Sequence, residues 1–342
     1  MRAAFVHGIR DVRVGEMPDP KPGPGEVVIR TRAVTICASD IHQYAEGNVG
    51  GVVWDRPYVP GHEAAGIVED PNGSDLAPGT AVVLDPAVPC HSCDMCAMGN
   101  YHLCRNLKFC DLPPVDGAMR ELVAWPADRV FPLPPALDIV EGPLIEPLSV
   151  AVHALELASR PAGATVAVAG CGAIGLLTIQ MARVRGAKAI FATDPVPERV
   201  AAARELGADV AIEVGRQDPV DEIMRATEGR GVDLAFEAAG PQDALQQCLG
   251  VLRPAGELVV IGIPSVDDYT LASSQLRRHE LTIRFVRRQN ENFPEGIELV
   301  REGRIKLGRL LTHRFPLGQV KEAFALAERK EGGSIRVAVT FQ

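Results

Sequence analysis

From about Pro161 onward the chain alternates two patterns, short apolar runs and stretches in which apolar positions recur every three to four residues. The runs predict strands at Thr165–Ala169, Ala189–Thr193, Asp209–Ile212, Val232–Glu237, Glu257–Ile261 and Leu281–Val286. Between the first two, Ile174, Leu177, Met181 and Val184 fall in phase and predict an amphipathic helix. Strands with helical crossovers predict an α/β unit on a doubly wound parallel sheet. The first 150 residues differ: they are rich in Gly and Pro, with short β-type runs such as Glu26–Arg30 and Thr80–Leu84 and little helical periodicity. They predict a compact β domain with long loops. After roughly residue 290 the alternation ends in a helix (Phe293–Glu302), a loop through Thr312-His313-Arg314-Phe315-Pro316-Leu317, another helix and a final strand. That tail is too short to form a core alone, so it is expected to fold back onto the β domain. The expected boundaries are 1–150, 151–288 and 289–342.

A length of 342 residues independently favours two domains. With 46% hydrophobic and 23% charged residues and a mean hydropathy of +0.06, the composition is that of a soluble globular protein, with no apolar run near the ~20 residues of a membrane span. A net charge of −9 disfavours nucleic acid as a partner. The local cluster Arg277, Arg278, Arg284, Arg287 and Arg288 reads most simply as a solvated or subunit-interface rim. Met1-Arg2-Ala3-Ala4-Phe5-Val6-His7 lacks the apolar core of a secretory signal. Four of the eight cysteines have metal spacing and the rest are scattered singly, which fits a reducing cytoplasm without disulfides.

Those four, Cys90-x2-Cys93-x2-Cys96-x7-Cys104, can close a tetrahedral shell around Zn²⁺. A closed shell has no vacancy for chemistry, so it reads as structural and implies that any reactive metal lies elsewhere. Gly170-Cys171-Gly172-Ala173-Ile174-Gly175 directly follows a predicted strand and opens a predicted helix, the setting that makes a G-x-G-x-x-G motif a dinucleotide site. Asp194, at the end of the second strand, is suited to accept from both ribose hydroxyls and to repel a 2′-phosphate, which favours NAD over NADP. It could instead cap the next helix, and Arg199 nearby could hold a phosphate. Gly240 and Gly262 follow the fourth and fifth strands, where a ligand crevice lies, or are plain loop glycines.

Cys37, His62, Glu63 and Glu146 offer donors for a second, open metal centre, although spacing alone does not assemble them. Taken together, Cys37-Ala38-Ser39-Asp40-Ile41-His42, Gly61-His62-Glu63, the four-cysteine loop, Leu144-Ile145-Glu146-Pro147-Leu148-Ser149-Val150, the glycine motif and Thr312–Leu317 resemble the zinc-dependent medium-chain dehydrogenases, within them the polyol group. The resemblance implies a GroES-like catalytic domain beside a Rossmann domain, and two zinc ions per subunit, one catalytic and one structural. It also implies a catalytic zinc held by Cys37, His62 and Glu63, with Glu146 approaching the zinc or its water and able to exchange with Glu63. A proton route through Ser39 and His42 follows from it, as does a homodimer or homotetramer acting on a small-molecule alcohol.

Arg288 fits a substrate-contacting arginine of that group, while Gln289 stands where tyrosine is expected and Tyr44 lies in a divergent stretch after His42; all three are expected to touch substrate. The expected activity is oxidation of a secondary alcohol of a polyol or sugar derivative. The rivals are an L-threonine 3-dehydrogenase or other amino-alcohol dehydrogenase, and a zinc- and NAD-binding regulator without turnover.

Overall fold

A computed structural model of the chain describes residues 1–49, 52–53, 57–266 and 268–342. It comprises two compact units: Met1–Glu146, Asn290–Gly303 and Leu310–Gln342 form one, and Pro147–Gln289 with Arg304–Arg309 the other.

The β-rich unit is organised by the strand Glu26–Thr35, whose Val27, Ile29 and Val34 are buried in the core. Glu63–Asp70 pairs antiparallel along one edge; Leu122–Pro126 and Arg336–Thr340 divide the other. The return segment thus supplies a strand to the sheet begun at the other end of the chain. Leu311–Pro316, expected as a loop, is a strand pairing in parallel with Arg336–Thr340. Its Thr312 hydroxyl donates to the Arg336 carbonyl at 3.1 Å and accepts from the Ile335 amide at 3.1 Å, so the pairing is latched by a side chain where the register shifts.

In the α/β unit six parallel strands stand in the order Val210–Glu213, Ala189–Asp194, Thr165–Ala169, Val232–Glu237, Leu252–Val260, Thr282–Phe285. Strand order reverses beside the first strand, the switch point where doubly wound sheets bind ligands. The almost wholly buried faces of the three central strands, Ala189–Asp194, Thr165–Ala169 and Val232–Glu237, explain why these read as continuous apolar runs. The fifth strand starts earlier than expected: Val232 pairs with Leu252 but Leu234 with Glu257, so the residues between bulge out, with Ala255 at φ 57°. Arg304–Arg309 rejoins this unit through Lys306, whose amide donates to Gln180 at 2.8 Å while its carbonyl accepts from the same side chain at 3.1 Å.

Candidate metal and dinucleotide sites

Three strand ends converge in the β-rich unit. Thr35, near the end of its strand, pairs with Glu63 at the start of the next, and Arg336 begins the third. Cys37 lies just beyond the first strand end and N-caps the helix Ala38–Glu46, while Gly61 at φ 94° turns the chain into His62 and Glu63. A Cβ at Gly61 would stand 2.7 Å from a Val34 methyl, so glycine is needed on both counts. One ligand atom each of Cys37, His62 and Glu63 lies within 4.8 Å of the others. Thiolate, imidazole and carboxylate at that separation fit an open Zn²⁺ site.

Glu63 is fully buried; its Oε2 accepts a short hydrogen bond from the Thr35 hydroxyl, and Arg336 Nη2 lies 3.1 Å from Oε1. Among the described residues Oε1 has no hydrogen bond besides this ion pair, which leaves it free to face a cation. Glu146 falls outside the 4.8 Å group, but its carboxyl is buried and burial pushes it up to about 8, with His62 opposing and Glu63 reinforcing. Burial works against charge on His62, yet Asp111 and Cys37 outweigh it and hold the imidazole well above its usual range. Asp40, also driven up by burial, to about 7, accepts from the Cys37 and Gly61 amides at 2.8 and 3.2 Å. So many buried acidic groups around one histidine favour a cation in their midst.

Ser39 and His42 lie one helical turn apart and share a face of the helix, with His42 Nδ1 3.2 Å from Glu46 Oε1. Tyr44, on the same helix, is buried. It is 3% exposed and packs on Phe324 of the return segment at 5.1 Å between ring centroids. The helix's apolar side needs that burial, which overrides the polar tip of the ring. Arg288, at φ 57°, and the buried Gln289 end the stretch of α/β unit that precedes Asn290.

The four cysteines come together as expected, one sulfur each within 4.8 Å of the rest. Cys93 Sγ lies 3.6 Å from Cys96 Sγ and 4.0 Å from Cys104 Sγ, and all eight cysteines of the chain are free thiols. Hydrogen bonds from Ser92 draw Cys90 down to about 5, whereas burial pushes Cys96 up to about 12. Arg105 grips Asp94 through two bonds of 2.6 and 2.7 Å, closing the loop, and Asn290 of the return segment ties it down through the Tyr101 amide and the Gly99 carbonyl.

In the α/β unit Gly170 takes φ 95°, Gly172 caps the helix Ala173–Val184, and a Cβ on Gly175 would stand 1.8 Å from the Gly170 carbonyl oxygen. Among the described residues no atom beyond its chain neighbours lies within 4 Å of a Gly172 Cβ, so the space over the turn is open at a helix N-terminus, which suits a pyrophosphate. Ala173 and Ile174 form the first turn. Asp194 accepts from the Cys171 amide at 2.7 Å and, near the next helix, from the Val196 amide at 2.8 Å, with lone pairs left for ribose hydroxyls. Arg199 lies close enough to influence the Cys171 thiol electrostatically. Gly240 is left-handed, at φ 98°. Sequence reasoning missed Glu237, which fixes this rim. Its Oε1 accepts from the Ala239 and Gly240 amides at 2.7 Å each, and a Cβ on Gly262 would meet its Oε2 at 2.5 Å. A carboxylate ending an apolar strand was the available signal.

Residues 23–135 match the alcohol dehydrogenase GroES-like domain family, and residues 173–302 the zinc-binding dehydrogenase family. Sorbitol dehydrogenase of Bacillus subtilis is 35% identical over 99% of this chain and 97% of its own length. L-idonate 5-dehydrogenase of Vitis vinifera is 34% identical over 98% and 93%. Among solved structures, L-idonate 5-dehydrogenase of Escherichia coli superposes with a TM-score of 0.92 at 28% identity, covering 99% and 98% of the two chains. With both domains matched in order around an open donor cluster and a closed cysteine cluster, the chain belongs to the zinc-dependent medium-chain dehydrogenases and resembles their polyol dehydrogenases.

Proposed function

We propose that this chain is an NAD-dependent zinc dehydrogenase that reversibly oxidises a secondary alcohol of a polyol or sugar-derived substrate to the ketone, with one catalytic and one structural zinc per subunit. The grouping of Cys37, His62 and Glu63 beside buried Glu146 carries the reading. When bound, the metal supplies Lewis acidity to an alcohol oxygen and the nicotinamide supplies the hydride acceptor.

The chain's own residues do the rest. Cys37, His62 and Glu63 would hold the metal. Arg336 and Thr35 fix the Glu63 carboxylate, and Glu146 keeps a second, neutral-leaning carboxyl nearby that would give up its proton on taking the place of Glu63. Ser39 accepts the substrate proton and passes it along the shared helix face to His42. In the α/β unit the glycine turn takes the pyrophosphate and Asp194 the adenosine ribose. Arg288 and Gln289 meet substrate hydroxyls, and the substitution at Gln289 alters which hydroxyl pattern is accepted.

Among the described residues no helix is long and apolar enough to cross a membrane. The reading includes a cytoplasmic homodimer or homotetramer, supported by the free cysteines and by the edge strand Thr282–Phe285, whose Phe285 is exposed. The test is metal analysis of the purified protein together with initial rates of NAD⁺ and NADP⁺ reduction on sorbitol, xylitol, an aldonate such as idonate, and threonine. Two zinc equivalents and NAD⁺ reduction with a polyol or aldonate are expected. One zinc equivalent with no turnover on any of them overturns the proposal.

A further inference from the structure

We propose that Asp111 is a positioning residue for the metal-binding edge of His62, a role that rests on reading Cys37, His62 and Glu63 as a metal centre. Asp111 Oδ2 lies 2.5 Å from His62 Nδ1, and the two side chains are 15% and 7% exposed. A carboxylate that accepts from Nδ1–H fixes the proton on that nitrogen and leaves the lone pair of Nε2 for a metal.

Asp40 belongs to the same tight grouping around His62, and its two oxygens already accept from the Cys37 and Gly61 amides. Asp40 therefore holds the backbone on either side of the centre, and Asp111 holds the ring. The segment that carries Asp111 is built for this. Phe109, two residues earlier, packs its ring on the imidazole at 5.4 Å between centroids, tilted by 50°. Cys110 between them is fully buried, with its amide bonded to the Pro86 carbonyl at 2.9 Å and its thiol 3.7 Å from the Gly61 carbonyl oxygen. Asp111 itself sits at φ 73°, a left-handed conformation that aspartate tolerates better than most residues. One short stretch thus braces His62 through a ring face and through a ring nitrogen. Nothing in the sequence places this stretch beside Gly61-His62-Glu63; the fold does.

A carboxylate in this position changes metal affinity by about 10–100-fold in other histidine-ligated centres. The test is the rate at which intact, zinc-loaded protein gives up metal to excess chelator, followed with a colorimetric zinc indicator, for the parent, C37S, D111N and D111A. D111A is expected to lose one of its two zinc equivalents about 10–100-fold faster than the parent, while the second leaves at the parental rate. D111N, whose amide oxygen can still accept, falls between. In cobalt-loaded protein the thiolate-to-metal absorption of the Cys37 centre shifts in D111A, while the thermal midpoint of the metal-free form does not, which separates orientation of a ligand from general support of the fold. If C37S itself retains both zinc equivalents, the metal-centre reading fails and takes this one with it. If C37S loses one equivalent but folded D111A and D111N release metal at the parental rate, Asp111's role alone is overturned.

Discussion

The two cysteine-bearing centres of the β-rich unit solve the same problem in opposite ways. Cys90, Cys93, Cys96 and Cys104 bring all their donors from one loop, closed by the exposed pair Arg105–Asp94 and tied down by Asn290. Cys37, His62 and Glu63 come from the ends of neighbouring strands, with Arg336 from a third, and their supporting charges are buried. A local, saturated shell sets its own donor geometry within one loop and needs the rest of the fold only to anchor that loop. An open centre is underligated, so the whole sheet has to hold its donors in place, and that rigidity is what chemistry at a vacant position requires.

The sharpest way to break this contrast is to remove one thiol from each. Cys37→Ser is expected to lower NAD⁺ reduction by at least roughly 1,000-fold and to remove one zinc equivalent, with the thermal midpoint close to parental. Cys93→Ser is expected to do the reverse: the midpoint falls by on the order of 10 °C while the turnover of molecules still folded at low temperature survives. Equal effects on both readouts from both variants would erase the distinction.

Charge gives a finer comparison. Arg336→Met leaves the buried Glu63 without its counter-charge, which typically costs about 3–5 kcal/mol, whereas Arg105→Met removes a solvent-exposed pair and is expected to leave the midpoint nearly unchanged. Denaturant titration of the two variants measures the difference.

The smallest expected effect concerns pH. Burial raises the folded-state proton affinity of Glu146 and Asp40 above that of the unfolded chain, and Asp111 and Cys37 raise that of His62 against the pull of burial. Groups whose folded pKa is raised contribute stability that is complete below their unfolded pKa and lost as pH climbs through the folded one. Chelator-treated protein is therefore expected to lose thermal stability between about pH 5 and 8, Glu146→Gln to flatten that slope, and zinc to abolish it, because metal binding favours the deprotonated ligands. Calorimetry at stepped pH reads all three.

The closed centre and the glycine turn were legible because each is a local device. Cysteine spacing and Gly170, Gly172 and Gly175 encode their geometry within a few residues. The central parallel strands were legible for a related reason, since burial on both faces leaves an unbroken apolar run. The open centre was legible only through resemblance, and its supporting residues were not legible at all. Thr35, Arg336 and Asp111 are an ordinary threonine, arginine and aspartate until strand pairing sets them against Glu63 and His62. The packing of Tyr44 on Phe324, far along the chain, was likewise not legible in the sequence. Thr312–Leu317 carries too many polar residues to look like a strand, and its partner Arg336–Thr340 makes it one.

The interrupted chain path of the β-rich unit sets an order on biosynthesis. Glu63 emerges from the ribosome early, yet the guanidinium that neutralises it belongs to a strand made only after the whole inserted α/β unit. A nascent chain can complete its α/β unit first, and the buried Glu63 gains its counter-charge only once Arg336 has been translated and zipped into place.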